Sequence, residues 1–177
     1  MRLKAMAKIN LGLDVLGKRE DGYHEVRMIM QTIRMYDILD IRKTRRPGIV
    51  LTTNLPFIPT DQRNLVYKAA QMLMEEFDVE EGLSIKLRKF IPVAAGMAGG
   101  SSDAAAAFVG VNRMFHLGLT EEQLMERAVK VGADVPYCIM RGTALAEGIG
   151  EKLTRLPEVP KCYVLQTGNQ CFDEAGI

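Results

Sequence analysis

The chain has 177 residues, of which 47% are hydrophobic and 25% charged, with a formal net charge of +1. That length suits one domain burying roughly 70% of its unfolded surface, and the composition is that of an ordinary globular chain rather than a disordered or membrane protein. A balance so near neutral lacks the clustered basic excess of a nucleic-acid-binding domain; the one basic run, "RKTRRP" at residues 42–47, reads as a strand end and turn before Gly48.

At the N-terminus, "MRLKAMAKINLG" carries Arg2, Lys4 and Lys8, which interrupt any apolar stretch, so neither a signal peptide nor a membrane span is expected. The period-two alternation of residues 3–16 predicts a strand. Ala5, Ala7, Ile9, Leu11, Leu13 and Val15 form its core face; Met6, Lys8, Asn10, Gly12 and Asp14 form a polar wall around a glycine. After the turn "GKREDGYHE", the runs "VRMIMQTIR", "DILDIRKT" and "GIVLTT" predict further strands in an antiparallel meander. Thr60 or Asp61 is the expected cap of a helix ending at Phe77, and "GLSIKLRKFIP" reads as a strand stopped by Pro92. A helix follows over residues 102–115. Another opens at "TEEQ" with a Thr120–Gln123 capping box, ending near Lys130 with Gly132 as its left-handed residue. "GADVPYCIM" and "GTALAEGIGEKLTRL" are expected as strand and turn segments. Cys138, Cys162 and Cys171 show no CxxC spacing, and only two histidines accompany them; free thiols in a reducing, cytoplasmic compartment are expected.

The stretch "PVAAGMAGGSSDAAAA", residues 92–107, concentrates the chemistry. Anion binding needs backbone N–H groups that converge on one point and a helix whose first amides face the same point. Gly96, Gly99 and Gly100 permit the close approach, Ser101 or Ser102 can cap the helix or offer an oxygen to Mg²⁺, and the alanines keep the first turns slim. The loop contains no lysine, which argues against a Walker A motif. A kinase built on it must bring its lysine from elsewhere.

Three stretches, "AMAKINLGLDVLGKREDGYHEV", "PVAAGMAGGSSDAAAA" and "GADVPYCIMRGTALAEGIGE", resemble in that order the N-terminal half of the GHMP kinases, and within them the 4-diphosphocytidyl-2-C-methyl-D-erythritol kinase family. "AKINLGL" and "DGYHE" set them apart from homoserine and mevalonate kinases. The resemblance implies a two-layer α+β fold, ribosomal protein S5 domain 2-like, and transfer of the ATP γ-phosphoryl group, with Mg²⁺, to the 2-hydroxyl of a cytidine diphosphate substrate. It implies that Asp134 takes the hydroxyl proton and Lys8 stabilises the attacking oxygen and the phosphate. ATP binding falls to Pro92, Val93, Ala94, Ala95, Gly96, Met97, Ala98, Gly99, Gly100, Ser101 and Ser102, with Asn64 near the nucleotide. Tyr23 and His24 match the cytidine-binding pair, and Asn10 and Asp14 match substrate contacts.

The resemblance covers residues 1–165 as an N-terminal ATP-binding domain and stops before "QTGNQCFDEAGI", residues 166–177. The family's C-terminal domain has no counterpart in this reading. The expectation is a shortened kinase with impaired turnover and a homodimer formed through the uncovered face; the alternative is a non-catalytic remnant that binds nucleotide or only folds and self-associates. No nucleic-acid or membrane partner is expected. Arg141 stands where the family commonly has glycine and is expected to perturb the loop near Asp134.

Overall fold

The computed structural model describes residues 1–20 and 22–165. Its frame is one mixed sheet built around a 21-residue strand, β2 (His24–Thr44). β1 (Arg2–Lys18) pairs antiparallel along one edge of β2, from Lys18 opposite His24 to Arg2 opposite Asp40. The other edge is shared end to end. β5 (Thr143–Gly148) takes Val26 to Gln31 of β2, and β4 (Gly82–Arg88) takes Ile38 to Thr44. β3 (Ile49–Thr53) pairs parallel with β4, and β6 (Lys152–Arg155) closes the sheet beside β5. The meander expected from the sequence is therefore corrected: β3 joins β4, not β2.

Between its two partners on that edge, residues 32–37 of β2 face no strand among the described residues. The ladder with β1 slips over the same stretch, from Met6 opposite Tyr36 to Lys8 opposite Thr32. Before this irregularity Met28 and Met30 point into the core; after it Asp37, Leu39 and Ile41 do. The chain thus changes face by bulging, as bulges do at sites where a strand is re-aimed. The two strands expected at residues 26–34 and 37–44 are one strand with that bulge between them.

Helices cover one face. α1 (Leu65–Glu76) and α2 (Gly99–Phe115) lie side by side, while α3 (Glu121–Ala128) and α4 (Val135–Met140) follow. The core sets Leu39, Ile41, Leu83, Ile85 and Leu87 of the sheet against Ala69, Leu73, Phe108 and Val111. Ala104 to Ala107 are all buried, so small side chains let α2 sit close to the sheet; at Gly110 a Cβ would come within 2.4 Å of Ile41 Cδ1.

Several local expectations are corrected. Asn64, not Thr60 or Asp61, caps α1: its Oδ1 accepts from Val66 N–H at 2.9 Å. α2 begins at Gly99 behind a left-handed Ala98, and neither Ser101 nor Ser102 caps it. The Thr120–Gln123 capping box of α3 is present, but the helix ends at Ala128, and Gly132 is not among the positive-φ glycines. "VPYCIM" is a buried helix rather than a strand, with Pro136 in its first turn, where a missing N–H costs nothing. Leu11, Leu13 and Val15, expected in the core, are 51%, 53% and 61% exposed, because the distal half of β1 is a ribbon paired only with β2. Among the described residues no helix is long and apolar enough to cross a membrane. The expected separate tail, residues 166–177 with Cys171, lies outside them.

Candidate functional site

The loop after β4 alternates its backbone hand. Ala94, Gly96 and Ala98 have φ of 59°, 69° and 54°, each separated from the next by one residue of ordinary hand. Alternation of this kind turns successive N–H groups toward a common point and makes an anion nest. Two of the three positions are alanines, held where a side chain costs about 1–2 kcal/mol per residue, so the surrounding structure enforces the shape. α2 then starts without a side-chain cap; its first in-helix bond runs from Ser102 N–H to Ala98 O at 2.8 Å. The amides of Gly99, Gly100 and Ser101 precede that bond and carry the positive end of a 17-residue helix.

Residues 92–100 together with Asn64 line a cleft of about 350 Å³. Ile58, Pro59, Leu65 and Leu87 give it an apolar wall fit for a planar ring, and Arg63 stands at the rim, paired with Asp61 at 2.8 Å. Asn64 is 9% exposed and spends its amide on Pro59 O and Val66 N. Of the expected ATP-binding residues, Pro92 to Gly100 and Asn64 thus share one cavity, while Ser101 and Ser102 are not among its lining. Ser102 is buried, and its hydroxyl donates to Met6 O; Ser101 is half-buried in the first turn of α2.

Lys8 reaches this loop from β1. Its N–H donates to Met97 O at 3.1 Å, so strand and loop are bonded directly. The register slip beside Lys8 turns its side chain inward: it is 6% exposed, and its ammonium donates to Asn10 Oδ1 at 3.1 Å. The same Nζ lies 3.7 Å from Asp134 Oδ2. Asp134 occupies the N-cap position of α4 without capping it, which leaves its carboxylate, 30% exposed, facing the lysine. A carboxylate beside an ammonium, next to an anion nest, can accept a proton from a hydroxyl while the lysine balances charge that develops on oxygen.

The turn after α4 is pinned to the unpartnered stretch of β2. Thr32 N–H donates to Gly142 O at 3.0 Å, Gly142 N–H to Thr32 Oγ1 at 3.1 Å, and Tyr137 Oη to Gly142 O at 2.7 Å, with Thr32 Oγ1 3.1 Å from Tyr137 Oη. Burial pushes the Tyr137 phenol up to about 12. Arg141 has φ 58° and ψ −178°, a region suited to glycine; its guanidinium donates to Lys4 O at 2.9 Å, tying the strained turn to β1.

Of the four expected substrate contacts, three lie apart from this centre. Asn10 touches Lys8, but Asp14 is exposed farther along the ribbon, opposite Arg27. Tyr23 and His24 sit at the ribbon's far end, where His24 pairs with Lys18. At 3.3 Å per residue, at most about 33 Å of strand separates that end from Lys8. The sequence reading missed Asp37, Lys89 and Asp103, which form a buried ionic cluster under the loop. Its one signal was a lone carboxylate, Asp103, immediately before the alanine run.

Residues 64–142 match the GHMP kinases N terminal domain. Over 165 residues, 93% of this chain, it is 57% identical to 4-diphosphocytidyl-2-C-methyl-D-erythritol kinase of Lachnospira eligens. Over 163 residues it is 58% identical to that of Lachnoclostridium phytofermentans. The chain spans 57% and 56% of the length of these relatives. A crystal structure of 4-(cytidine 5'-diphospho)-2C-methyl-D-erythritol kinase superposes with a TM-score of 0.75 at 35% identity, covering 88% of this chain and 55% of that one. The Methanococcus jannaschii mevalonate kinase shares the fold, with a TM-score of 0.68 at 15% identity, covering 89% of this chain and 56% of that one. With the nest and the apolar cleft beside these matches, the chain carries over residues 64–142 the N-terminal domain of the GHMP kinases.

Proposed function

We propose that this chain supplies the ATP-binding and catalytic residues of a 4-diphosphocytidyl-2-C-methyl-D-erythritol kinase acting in the cytoplasm. The observation that carries the reading is the 3.7 Å approach of Lys8 and Asp134 beside the nest. The substrate hydroxyl loses its proton to Asp134 as its oxygen bonds the γ-phosphorus; the bridging oxygen leaves with ADP. Lys8 holds the acceptor oxygen and the incoming phosphoryl group in line, and the amides of residues 94–101 hold the remaining phosphates. Positioning and charge stabilisation of this kind supply most of the acceleration in phosphoryl transfer.

Among the described residues no group of three His, Cys, Asp or Glu side chains is arranged to hold a metal. That suits Mg²⁺ that arrives with the triphosphate, since this ion keeps its waters and needs few protein ligands. With Ser102 committed to Met6 O, Ser101 is the hydroxyl for it. Held there, Mg²⁺ would supply positive charge against the triphosphate. Tyr23, His24, Asn10 and Asp14 are the proposed contacts to the cytidine and sugar groups. The test is ADP release with 4-diphosphocytidyl-2-C-methyl-D-erythritol, mevalonate and homoserine offered separately; turnover with the first alone supports the assignment, and turnover with either of the others overturns it.

The open position of the ribbon favours one second reading. Leu11, Leu13, Val15 and Leu16, all more than half exposed, form an apolar strip, and strips of this kind favour association. In that reading the chain binds nucleotide and forms a homodimer without turnover. Sedimentation of the wild type against Leu13→Lys separates the two: a dimer lost in the variant, together with absent ADP release, supports it.

A further inference from the structure

The cluster beneath the loop has no part in the proposed transfer. Lys89, the residue after β4, is 8% exposed, and its ammonium donates to Asp37 of β2 and, at 2.7 Å, to Asp103 Oδ2 of α2. Asp37 is 0% and Asp103 2% exposed. Taking three ionisable groups out of water opposes folding unless they satisfy one another, and here satisfaction is incomplete, since Asp103 Oδ1 is buried without a partner. Burial pushes the Asp103 carboxyl well up, against the pull of Lys89 and with the help of Asp37. Burial pulls Lys89 down, yet Asp103 and Asp37 hold it above its usual value. A hydrophobic trio would fill the same space at lower cost, so the cluster is explained by what it holds.

It holds both ends of the loop. At the entry, Asp37 Oδ1 accepts from the N–H groups of Phe90 and Ile91, while Asn54 accepts from Lys89 N at 2.7 Å and donates to Lys89 O at 3.1 Å. At the exit, the same ammonium lies directly under Gly99: a Cβ there would be 3.1 Å from Lys89 Nζ and 3.2 Å from Ile91 Cγ2. Asp103 follows one turn later on α2. The bonds to Asp37 lie at the end of the β2 stretch that has β1 on one edge and no described strand on the other, so side chains take the place of a ladder there.

We propose that Lys89 is a positioning residue for nucleotide binding: by bridging Asp37 and Asp103 it fixes the entry and exit of the 92–98 loop and aims the nest's amides at the phosphates. The inference rests on the nucleotide reading of the cleft. Lys89→Met alone strands two buried carboxylates and is expected to unfold part of the chain, so the decisive variant is the neutral, near-isosteric triple Asp37→Asn, Lys89→Met, Asp103→Asn. Two measurements are made on it: amide hydrogen exchange, and affinity for ADP and for adenosine.

Exchange at residues 94–100 is expected to quicken at least tenfold while α1 keeps its protection, and ADP affinity to fall at least tenfold with adenosine affinity changed less than twofold. Gly99→Ala, which crowds Nζ without altering any charge, should give the same split at smaller size in a folded chain. Unchanged loop exchange in both variants overturns the proposal. So does an equal loss for ADP and adenosine, which is the mark of a generally loosened cleft. Quickened loop exchange in a chain whose wild type binds no ADP supports the anchoring and overturns the nucleotide reading instead.

Discussion

Tyr137→Phe removes one oxygen from the ring of bonds that ties α4 to β2, and its cost can be worked out from the partners left behind. Gly142 O loses the phenol at 2.7 Å but keeps Thr32 N–H at 3.0 Å; Thr32 Oγ1 keeps Gly142 N–H at 3.1 Å. The Thr32 hydroxyl proton loses the phenol as acceptor, but Thr32 is only half-buried and water can take its place. The loss is therefore the net value of about two neutral hydrogen bonds, about 1–2 kcal/mol, rather than the larger penalty of an unsatisfied group. In urea, with a slope of about 2 kcal/mol/M, the midpoint should fall by about 0.5–1 M; the melting temperature should fall by about 3–6 °C for a chain of this size. Thr32→Val breaks the same ring, so the double variant should cost less than the sum of the singles by about 0.5–1 kcal/mol. Additive losses, or a midpoint unmoved by Tyr137→Phe, would refute the view that this ring fixes the turn after Asp134.

Asp103→Asn should change how stability depends on pH. Its folded carboxyl is raised above the usual 3.8, mainly by burial, so the stability it contributes is fully present below that value and is lost as pH rises through the folded value. Equilibrium unfolding at pH 5 and pH 8 should show the Asn variant gaining on the wild type at the higher pH; a constant gap would show that the group does not titrate differently on folding. Burial pushes the Cys138 thiol up to about 12, whereas Cys162 is exposed. Thiol alkylation followed by peptide mass analysis should label Cys162 within minutes and leave Cys138 unmodified until urea is added; rapid native labelling of Cys138 would contradict the buried α4. Arg141→Gly relieves an unfavourable backbone worth about 1–3 kcal/mol and gives up one hydrogen bond and some chain entropy, for a net gain of about 0–1 kcal/mol. A loss above 1 kcal/mol in urea unfolding would show that the Arg141 to Lys4 bond outweighs the strain.

How much of this could be read in advance follows from range. The glycine loop was legible because its chemistry is local: the residues that bend the chain are the residues that present its amides. The capping box at Thr120 was legible for the same reason. The break between "VRMIMQTIR" and "DILDIRKT" was a true signal misread as a turn, since a bulge and a strand end disturb the alternation alike. "VPYCIM" was misread because six apolar residues buried on all sides show no periodicity that tells helix from strand. Leu11, Leu13 and Val15 alternate as a core strand does, and only the sheet's topology reveals that no element among the described residues covers them. Lys8 and Asp134, 126 positions apart, were joined by family resemblance rather than by any pattern in the residues. Asp37, Lys89 and Asp103 lacked even that, because the gap in the β2 edge that unites them exists only in the folded sheet.

The proposed transfer depends on Lys8 and Asp134 acting as a pair on a hydroxyl held beside the nest. Its most direct test is the single-turnover rate of ADP formation with 4-diphosphocytidyl-2-C-methyl-D-erythritol and saturating MgATP, for the wild type, Lys8→Ala and Asp134→Ala. The rate should fall by about 10²–10⁴ in each variant, with ATP affinity little changed in Asp134→Ala. A wild-type rate retained in either variant would contradict the assignment of the site.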